Sequence, residues 1–534
     1  MSEPDAPRRV LIPTRVAPEV VDALRSYDGL EVENPGEMSQ EELGQALGGF
    51  DGVVIRSNNR ITGEMIEAAS RLRVVGRAGT GLDNVDVDTA TRHGVVVMNT
   101  PGVNAIAAAE HTVALLLALA RRLPAADRSV KQGRWERGRF LGVEVTAKTL
   151  GLIGLGRIGL QVARRALGLG MRVVAHDPFV RPDAVQDESI RLLALDELLA
   201  ASHFISTHAP LVEGTRHLLN RDTFARMRDG VCIINCARGG IVDEEALCDA
   251  IDAGKVAGAA LDVFEQEPPS GARVTRYDQI ITTPHLGGST REAQLAVGLA
   301  IARQVGDFLS QGIVQNAANA APVTGQTRAL VGPFLDLSER MGAMAAQLVE
   351  GPARRLTLTL HGERCTHDVR ILAASVLKGL LSESMEEYGV NLVNAPTLAR
   401  ERGIELQVTE GSEREDFTNL ICVRVESDAD AHEVWGTQFG KWEGRVVNLD
   451  GYPLEMKPQG AMIVLLSANR PGVIGRLGGI IARHGGNISK MNNGCSPDGT
   501  RALSTLNLDE PPPDAMLEEL RQEADFDWIR LVRL

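Results

Sequence analysis

Three glycines and one aspartate between residues 148 and 179 form the strongest chemical pattern in the sequence. The segment KTLGLIGLGRIGLQVARRALGLGMRVVAHDPF places Gly154, Gly156 and Gly159 after an apolar run, and Asp177 follows 18 residues later. Such glycines allow a tight turn, close approach of the backbone to a pyrophosphate, and close packing of a helix whose first amides attract anions. An acid at this distance is typical of one that binds a ribose diol. The pattern predicts a dinucleotide site, and the uncharged residues after the acid favour NAD over NADP.

A second candidate is an arginine at the end of an apolar strand. The stretch INCARGGIVDEEAL sets Arg238 between small residues, where an unpaired buried cation would be costly. Two interpretations fit this placement. Either Asp243, Glu244 or Glu245 pairs with the arginine, or Arg238 binds an anion from outside the chain. The local sequence favours the pairing, because paired surface arginines are common.

The elements that must position these residues change character along the chain. Up to about residue 315, short Val- and Ile-rich runs such as FDGVVIRS, LRVVGRAG and VCIINCA alternate with amphipathic stretches, which predicts parallel, doubly wound α/β sheets. About 150 residues of this kind precede the glycine-rich turn, so we expect a separate front lobe with the cofactor between two lobes. An Ala-, Asn-, Gly- and Pro-containing stretch over 311–328 predicts a linker. A second α/β region then runs to about residue 458, and a third follows it.

Composition restricts the partners of the chain. Its 534 residues carry a formal net charge of −14 and a pI near 5.4, which argues against nucleic acid or an anionic membrane as the main partner. The six cysteines form no CxxC pair and no disulfide framework, so we expect reduced thiols in a cytoplasmic protein and no metal site. The longest apolar run is too short for a membrane span, and the N terminus has no signal sequence.

Several motifs together carry a family resemblance. In order and spacing, GLIGLGRIG, INCARGGIVDEEAL, AALDVFEQEPP and TPHLGGST resemble the D-isomer-specific 2-hydroxyacid dehydrogenases. VVGRAGTGLDNVD, VMNTPGVNAIAAAEHT and GRWERGRFLG narrow this to the branch that oxidises 3-phospho-D-glycerate, and the tail resembles the long form of that branch. The resemblance implies two Rossmann-like doubly wound parallel-sheet lobes, an α+β intervening domain and a C-terminal ferredoxin-like ACT domain. The expected segments are a substrate-binding lobe (1–99 and 289–317), an NAD-binding Rossmann domain (100–288), an intervening domain of the allosteric substrate-binding type (318–456) and the ACT domain (457–534).

The resemblance also implies a catalytic set. It falls on Arg238, Glu267 and His285. His285 would take the proton of the C2 hydroxyl, Glu267 would orient the imidazole and raise its pKa, and Arg238 would hold the substrate carboxylate. Without the resemblance, the histidine is more often structural and the glutamate a solvated turn residue.

The same resemblance implies which residues of this sequence contact the cofactor and the substrate. For the cofactor they are Thr80, Gly154, Gly156, Arg157, Ile158, Gly159, Asp177, Cys236, Ala237, Arg238, Asp262, His285, Leu286, Gly287 and Gly288. For the substrate they are Arg56, Ser57, Arg77, Gly79 and Arg137, the last reaching a neighbouring subunit. Arg56 and Arg77 stand at the ends of apolar strands, where α/β proteins bind ligands, although each could instead cap a helix or pair with an acid.

The tail raises the question of an effector. In relatives that L-serine inhibits, the effector lies between paired ACT domains, held by an acid before a Pro-Gly turn and an asparagine after the helix. Here Asn469 replaces the acid and Asn487 matches the asparagine. L-serine binding and a purely assembling ACT domain both stay open, and the family implies a homodimer or homotetramer.

The resulting functional hypothesis is NAD-dependent oxidation of 3-phospho-D-glycerate to 3-phosphooxypyruvate, the entry step of L-serine synthesis. One alternative is a dehydrogenase or reductase for another D-2-hydroxy acid, such as 2-hydroxyglutarate. Another, from a different class, is an NAD-sensing binding protein like the corepressors that share this fold.

Overall fold

A computed structural model describes residues 6–181, 183, 185, 187–411, 416–440 and 443–534, with side chains omitted at 386–388. The chain forms two compact units. One comprises residues 1–77, 81–99 and 301–534, and the other comprises residues 78–80 and 100–300. Among the described residues, no helix is both long enough and apolar enough to cross a membrane.

The first unit begins with a five-stranded parallel sheet in the order β2-β1-β3-β4-β5. Its inner strands are continuous apolar runs, and β3, GVVI, is buried along its whole length. This is the pattern of a parallel sheet covered by helices on both faces. The elements are β1 Arg8–Leu11, α1 Pro18–Arg25, β2 Leu30–Glu33, α2 Gln40–Leu47, β3 Gly52–Ile55, α3 Gly63–Ala68, β4 Val74–Arg77, α4 Val87–Arg92 and β5 Val96–Met98.

The second unit is built on a seven-stranded parallel sheet in the order β12-β11-β10-β9-β6-β7-β8. The order reverses between β6 and β9, which is the topological switch point where dinucleotide-binding sheets take their ligand. The elements are α5 Ala105–Ala120, α6 Leu123–Lys131, β6 Thr149–Ile153, α7 Arg157–Gly168, β7 Arg172–His176, β8 Ile190–Leu192, α8 Leu195–Ala201, β9 Phe204–Thr207, α9 Arg221–Arg226, β10 Val231–Asn235, α10 Glu244–Asp252, β11 Val256–Leu261 and β12 Ile280–Thr282. Helix α11, Arg291–Gln311, continues into the first unit.

The intervening region belongs to the first unit and has a mixed sheet in the order β14-β13-β15-β16-β17-β18. Strand β13 pairs in parallel with β14, and the remaining pairs are antiparallel. Helices and strands thus occur in an α+β arrangement. The elements are α12 Gly325–Leu348, β13 Arg355–His361, α13 Glu363–Thr366, α14 Val369–Ser382, α15 Ala395–Glu401, β14 Glu405–Glu410, β15 Leu420–Glu426, β16 Ala431–Phe439, β17 Glu443–Leu449 and β18 Tyr452–Met456.

The C-terminal region is a βαββαβ fold with an antiparallel sheet in the order β20-β21-β19-β22. This topology is ferredoxin-like. The two helices pack their apolar sides against one face of the sheet in a single core. The elements are β19 Ala461–Ala468, α16 Val473–Arg483, β20 Ile488–Cys495, β21 Arg501–Leu508, α17 Asp514–Gln522 and β22 Phe526–Arg533.

The predicted fold class is confirmed. Parallel Rossmann-like sheets, an α+β region and a ferredoxin-like C-terminal region occur in the expected order. The four predicted segment boundaries stay predictions, because the contacts within the chain divide it into two units rather than four segments.

Candidate active site

The glycine-rich turn follows β6 at the switch point of the seven-stranded sheet. Gly154 has φ 96°, and a β carbon there would lie 2.6 Å from the carbonyl oxygen of His208. A β carbon on Gly159 would overlap the carbonyl of Gly154, whereas the space around Gly156 is open. The first and third glycines therefore let the turn and helix pack, and the second leaves the backbone accessible.

Helix α7 begins directly at this turn, with Gly156 as its N-cap and Arg157 as its first residue. The Arg157 guanidinium donates a hydrogen bond to the carbonyl of Pro101 and lies against Gly102. The side chain of Arg157 is thus engaged within the protein. The groups that Arg157 and Ile158 offer toward the turn are the backbone amides of the first helical turn, which favour an anion.

Asp177 lies immediately after β7 and is fixed beside the glycine-rich turn. The backbone N–H of Leu155 donates to its Oδ2 at 2.9 Å, and the N–H of Phe179 donates to its Oδ1 at 3.0 Å. Each carboxylate oxygen has a second lone pair. The carboxylate is therefore held in one orientation and can still accept hydrogen bonds from a diol.

Three neighbouring strands end at the same edge of this sheet. Asn235 of β10 pairs in register with Leu261 of β11, which pairs with Thr282 of β12. The residues that follow these strands therefore lie side by side. They are Cys236, Ala237 and Arg238 after β10, Asp262 after β11, and His285 to Gly288 after β12.

The turn after β10 is shaped by Asn235, which is buried at the strand end. Its Oδ1 accepts from the hydroxyl of Thr207 at 2.8 Å and from the N–H of Ala237 at 3.0 Å, and its Nδ2 donates to the carbonyl of Arg238 at 2.9 Å. Cys236 is buried, and burial raises the pKa of its thiol to about 12. At neutral pH this thiol contributes an uncharged wall.

The acids that follow Arg238 each have a role in their own elements. Asp243 caps α10 by accepting from the N–H of Ala246 at 2.9 Å. Glu244 accepts from the N–H of Glu265 at 2.7 Å, and Glu245 pairs with Arg273 at 3.2 Å. These acids therefore cap the N terminus of α10 and connect the helix to Glu265 and Arg273.

A carboxylate and an imidazole meet at the edge of the sheet. Glu267 Oε2 lies 2.8 Å from His285 Nδ1, and Glu267 Oε1 accepts from the N–H of Phe264 at 3.3 Å. With Nδ1–H donating to the carboxylate, Nε2 is the nitrogen that carries the lone pair in neutral His285. Both side chains are exposed, so Nε2 is accessible to a small molecule.

Charge and burial shift the pKa values of this pair in opposite directions. The hydrogen bond that His285 donates to Glu267 raises the pKa of His285 above its ordinary value, against the lowering effects of desolvation and the nearby charge of Arg238. Burial raises the pKa of Glu267, but the hydrogen bond and charge of His285 outweigh it and hold that pKa below its ordinary value. The arrangement stabilises an imidazolium beside a carboxylate, as a general base requires after it has taken a proton.

The loop that carries His285 is held by one buried carboxylate, Asp262. Its Oδ1 accepts from the N–H of Leu286 at 2.7 Å and from the hydroxyl of Thr283 at 2.5 Å, and its Oδ2 accepts from the N–H of Gly287 at 2.8 Å. His111 Nε2 lies 3.2 Å from the same Oδ1. His285 itself has φ 54°, a left-handed conformation that this loop must maintain.

Three residues that position the loops of this site were not predicted from the sequence. Asn235 and His111 are polar residues inside or beside apolar elements, a pattern that the sequence does show. Gly239 is the third, because a β carbon there would overlap the carbonyl of Phe264. That close contact brings the loop after Arg238 against the loop that carries Glu267, and only the folded structure shows it.

Comparison with known proteins agrees with this geometry. Residues 113–287 match the model of the D-isomer specific 2-hydroxyacid dehydrogenase NAD-binding domain, residues 330–450 the D-3-phosphoglycerate dehydrogenase intervening domain, and residues 461–525 the ACT domain. The D-3-phosphoglycerate dehydrogenase of Archaeoglobus fulgidus is 42% identical over 96% of this chain and 97% of its own. That of Synechocystis is 37% identical over 98% and 95%.

The chain belongs to the D-3-phosphoglycerate dehydrogenase family. Its dehydrogenase portion is also similar to a solved D-lactate dehydrogenase from Aquifex aeolicus in complex with NAD and lactic acid. That similarity has 29% identity and a TM-score of 0.50 over 57% of this chain and 95% of that one. NAD is the cofactor, as the sequence predicted. The open backbone at Gly156, the α7 amides and the Asp177 carboxylate fit it.

The remaining cofactor-side positions, Thr80 and Gly288, lie in the same unit as the predicted substrate-side residue Gly79. The hydroxyl of Thr80 lies 3.2 Å from Oδ1 of Asn104, to which it donates. Gly79 has φ 140°, and its N–H donates to the hydroxyl of Thr100 at 2.8 Å. Both residues are thus fixed to the chain that leads into α5. Gly288 is close enough to Asn104 that a β carbon would lie 3.0 Å from Nδ2 of that residue.

The expected substrate-phosphate residues of the D-3-phosphoglycerate dehydrogenase family lie in the first unit. Ile55 of β3 pairs in register with Arg77 of β4, so Arg56 and Arg77 stand at the same edge of adjacent strands. Arg56 Nη1 donates to the carbonyl of Arg15 at 3.3 Å, and Ser57 is exposed beside it. Two guanidinium-bearing residues at one sheet edge suit an anionic ligand.

Arg137 and the ACT asparagines occupy other surfaces. Arg137 begins a short 3-10 helix, Arg137–Phe140, and is exposed. Asn469 donates to the carbonyl of Gly499 at 2.9 Å, and Asn487 donates to Oδ2 of Asp509 at 2.5 Å. Each asparagine amide is bound within its own domain, and Asp509 places a carboxylate beside Asn487.

Proposed function

We propose that this chain oxidises 3-phospho-D-glycerate to 3-phosphooxypyruvate with NAD, the first step of L-serine synthesis. The observation that carries the proposal is the Glu267–His285 pair, 2.8 Å apart, at the edge of a sheet whose switch point holds the dinucleotide turn. The near full-length relatives named D-3-phosphoglycerate dehydrogenase support the choice of substrate.

His285 acts as the general base. Its Nε2 accepts the proton of the C2 hydroxyl as the C2–H bond breaks, and the resulting imidazolium is stabilised by Glu267. Bound NAD supplies the acceptor for the hydride that leaves C2. Asp262 keeps the His285 loop in place through its bonds to Leu286 and Gly287, so the base keeps its orientation between turnovers.

Arginines bind the two anionic ends of the substrate. Arg238 holds the carboxylate and polarises the C2 oxygen, a task suited to a planar donor with two parallel N–H groups. Arg56 and Arg77 bind the phosphate, with Ser57 and Gly79 contributing further contacts. These arginines provide a local positive charge for the anionic substrate, although the net charge of the chain is −14.

Backbone and carboxylate groups bind NAD. Asp177 accepts from the adenosine ribose, and the glycine-rich turn with the amides of Arg157 and Ile158 binds the pyrophosphate. The nicotinamide side is formed by Thr80 and by residues that follow β10, β11 and β12. The latter are Cys236, Ala237, Arg238, Asp262, His285, Leu286, Gly287 and Gly288.

A substrate panel with NAD tests the proposal. We expect turnover of 3-phospho-D-glycerate with a higher kcat/KM than for D-lactate, D-glycerate or D-2-hydroxyglutarate. Preference for an unphosphorylated acid would favour the other dehydrogenase activity and contradict the phosphate assignment. An absence of turnover with every acid, together with tight NAD binding, would favour a cofactor-sensing protein.

We further propose a homodimer or homotetramer in the cytoplasm. An exposed apolar segment of the second unit supports assembly, because large exposed apolar side chains mark interaction surfaces. Trp135 is 79% exposed and Leu141 82% exposed, and Arg137 lies between them. The six free cysteines fit a reducing compartment.

L-serine is the proposed effector of the ACT domain. A match to the ACT domain supports effector binding, and the Asp509 carboxylate beside Asn487 offers a charge for an ammonium group that Asn469 does not carry. Titration of L-serine against activity tests this. A flat curve would leave the ACT domain with an assembly role only.

A further inference from the structure

A cavity of about 600 Å³ lies within the first unit, away from the residues assigned above. It is bounded by the α3–β4 connection, the end of α11, helix α14 and the loop before α15. Its volume falls within the range of about 300–1,000 Å³ typical of small-molecule sites. Most of the wall is apolar. Side chains that form it include Leu72, Val96, Phe308, Ile371, Leu392 and Val393.

One side of this cavity carries the guanidinium of Arg73, which forms no direct ion pair among the described residues. The Arg73 guanidinium lies over the ring of Phe308, with its central carbon 5.7 Å from the ring centroid. Among the described residues, no carboxylate lies within the 4.0 Å of an ion pair with Arg73. Desolvation is the main cause that lowers the pKa of this guanidinium. Arg73 is an exposed residue, and the charges of Arg8 and Asp51 act on its pKa in opposite directions. Its guanidinium is therefore open to pairing with a further anion at the cavity.

Another part of the cavity wall is held in place by hydrogen bonds within the protein. In the loop before α15, Asn391 Nδ2 donates to the carbonyl of Gly94 at 3.0 Å, and Asn391 Oδ1 accepts from the N–H of Val393 at 2.9 Å. Asn394 Nδ2 donates to the carbonyl of Arg92 at 3.3 Å. The polar groups of this NLVNAP loop are thus satisfied by the protein, and Leu392 and Val393 are presented to the cavity.

We propose that this cavity binds a monocarboxylic acid with an apolar body, whose carboxylate pairs with Arg73. The apolar walls disfavour a compact phosphorylated acid, because such a ligand cannot replace its hydration there. A neutral apolar molecule would gain no ion pair with the guanidinium, and a cation would be repelled by it. Glu67 and His93, which also line the cavity, are exposed at its rim and remain hydrated.

Calorimetric titration of the full-length chain with octanoate tests the site, with saturating NAD present. We expect saturable binding with one octanoate per chain, and binding of octanol and octylamine at least about 10-fold weaker because a charge-assisted pair is absent. Equal affinity for octanoate and octanol, or no saturable octanoate binding, would overturn the proposal.

Variants locate the site. Arg73→Gln should weaken octanoate binding about 10-fold or more, since a hydrogen-bonded charge pair is lost. Ser70→Phe, at an exposed position of the rim, should block it. Arg71→Gln is the matched control, because Arg71 is paired with Asp51 at 2.9 Å and does not line the cavity.

A carboxylic acid could also bind the arginine proposed for the substrate. Arg238→Gln should therefore retain octanoate binding in the same titration. Loss of binding in Arg238→Gln, with Arg73→Gln unchanged, would assign octanoate to the active site and reject the cavity. The thermal shift gives a second readout, because a ligand that binds only the folded chain raises its Tm.

Discussion

At the scale of single residues, the proposed chemistry depends on one hydrogen bond between side chains 18 positions apart in sequence. Glu267 fixes Nδ1 of His285 and leaves Nε2 to accept a proton. The same contact raises the pKa of His285, which sets the pH at which its basic form becomes available. The contact with Glu267 therefore sets both the orientation of the His285 ring and the pKa of that ring.

Replacing Glu267 by Gln should move the pH profile of oxidation. Because the carboxylate is lost, the pKa of His285 falls, and the rise of kcat/KM with increasing pH shifts toward lower pH. His285→Ala should instead lower kcat by about 10²- to 10⁴-fold and change the Kd for NAD little. Stopped-flow turnover across pH and NAD titration by fluorescence measure both. Equal losses of kcat and NAD affinity in His285→Ala would indicate a structural histidine.

Asp177 is the second residue with a measurable role. Asp177→Ala should weaken NAD binding about 10- to 100-fold, which corresponds to ~1.5–3 kcal/mol for hydrogen bonds to a charged acceptor. Glu188→Ala serves as the control, since that acid is exposed after the same strand. Unchanged NAD affinity in Asp177→Ala would refute the ribose assignment.

At the scale of elements, strands of the intervening region meet the C-terminal sheet at His432. His432 on β16 lies 2.6 Å from Asp450, which follows β17, and 3.4 Å from Asp430. Its ring packs edge to face on Trp528 of β22, with centroids 5.6 Å apart. Burial lowers the pKa of His432, but the bonds and charges of Asp450 and Asp430 outweigh it and raise the pKa.

This junction should lose stability as the pH rises. Because the folded-state pKa of His432 is raised, its stabilising contribution is fully present below the unfolded-state pKa and disappears as the pH passes through the folded-state value. The difference in apparent Tm between the wild type and His432→Gln should therefore be largest at acidic pH and shrink toward alkaline pH. Scanning fluorimetry from pH 5 to 9 measures it. His93→Gln, at an exposed position, is the control. A difference that is independent of pH would contradict the assignment.

At the scale of the whole molecule, the segment from α6 to the start of β6 exposes several large apolar side chains. Besides Trp135 and Leu141, its exposed members include Leu123, Val130 and Val143. A surface of this kind is costly in water. The proposed homodimer or homotetramer would cover this segment at the contact between copies of the chain.

Charges placed in that segment should separate the copies. Trp135→Glu combined with Leu141→Glu should shift the molar mass toward the monomer, because burying two carboxylates at a contact is unfavourable. Light scattering coupled to size-exclusion chromatography measures the mass. Val212→Glu is the control, since Val212 is a 54% exposed apolar residue of the same unit outside the segment. A double variant with unchanged mass would exclude this surface as the interface.

The local features of this protein could be predicted from its amino-acid sequence. The glycine-rich turn, the acid after the next strand and the alternation of apolar runs depend on residues near one another in the chain, so conformational rules and hydrophobic periodicity were enough to predict them. The resemblance then pointed to Glu267 and His285, which the residues alone would have left as a turn acid and a structural histidine.

Contacts between groups distant in sequence could not be predicted and are seen in the folded chain. Three features join segments far apart in sequence. They are the close contact of Gly239 with Phe264, the four donors around Asp262 and the cavity beside Arg73. Such contacts arise from the packing of strands and helices into a dense interior, where the position of each side chain depends on every neighbour. No local sequence pattern carries that information. The glycine-rich turn and the strands could therefore be predicted from the sequence, whereas the surroundings of the reactive groups could not.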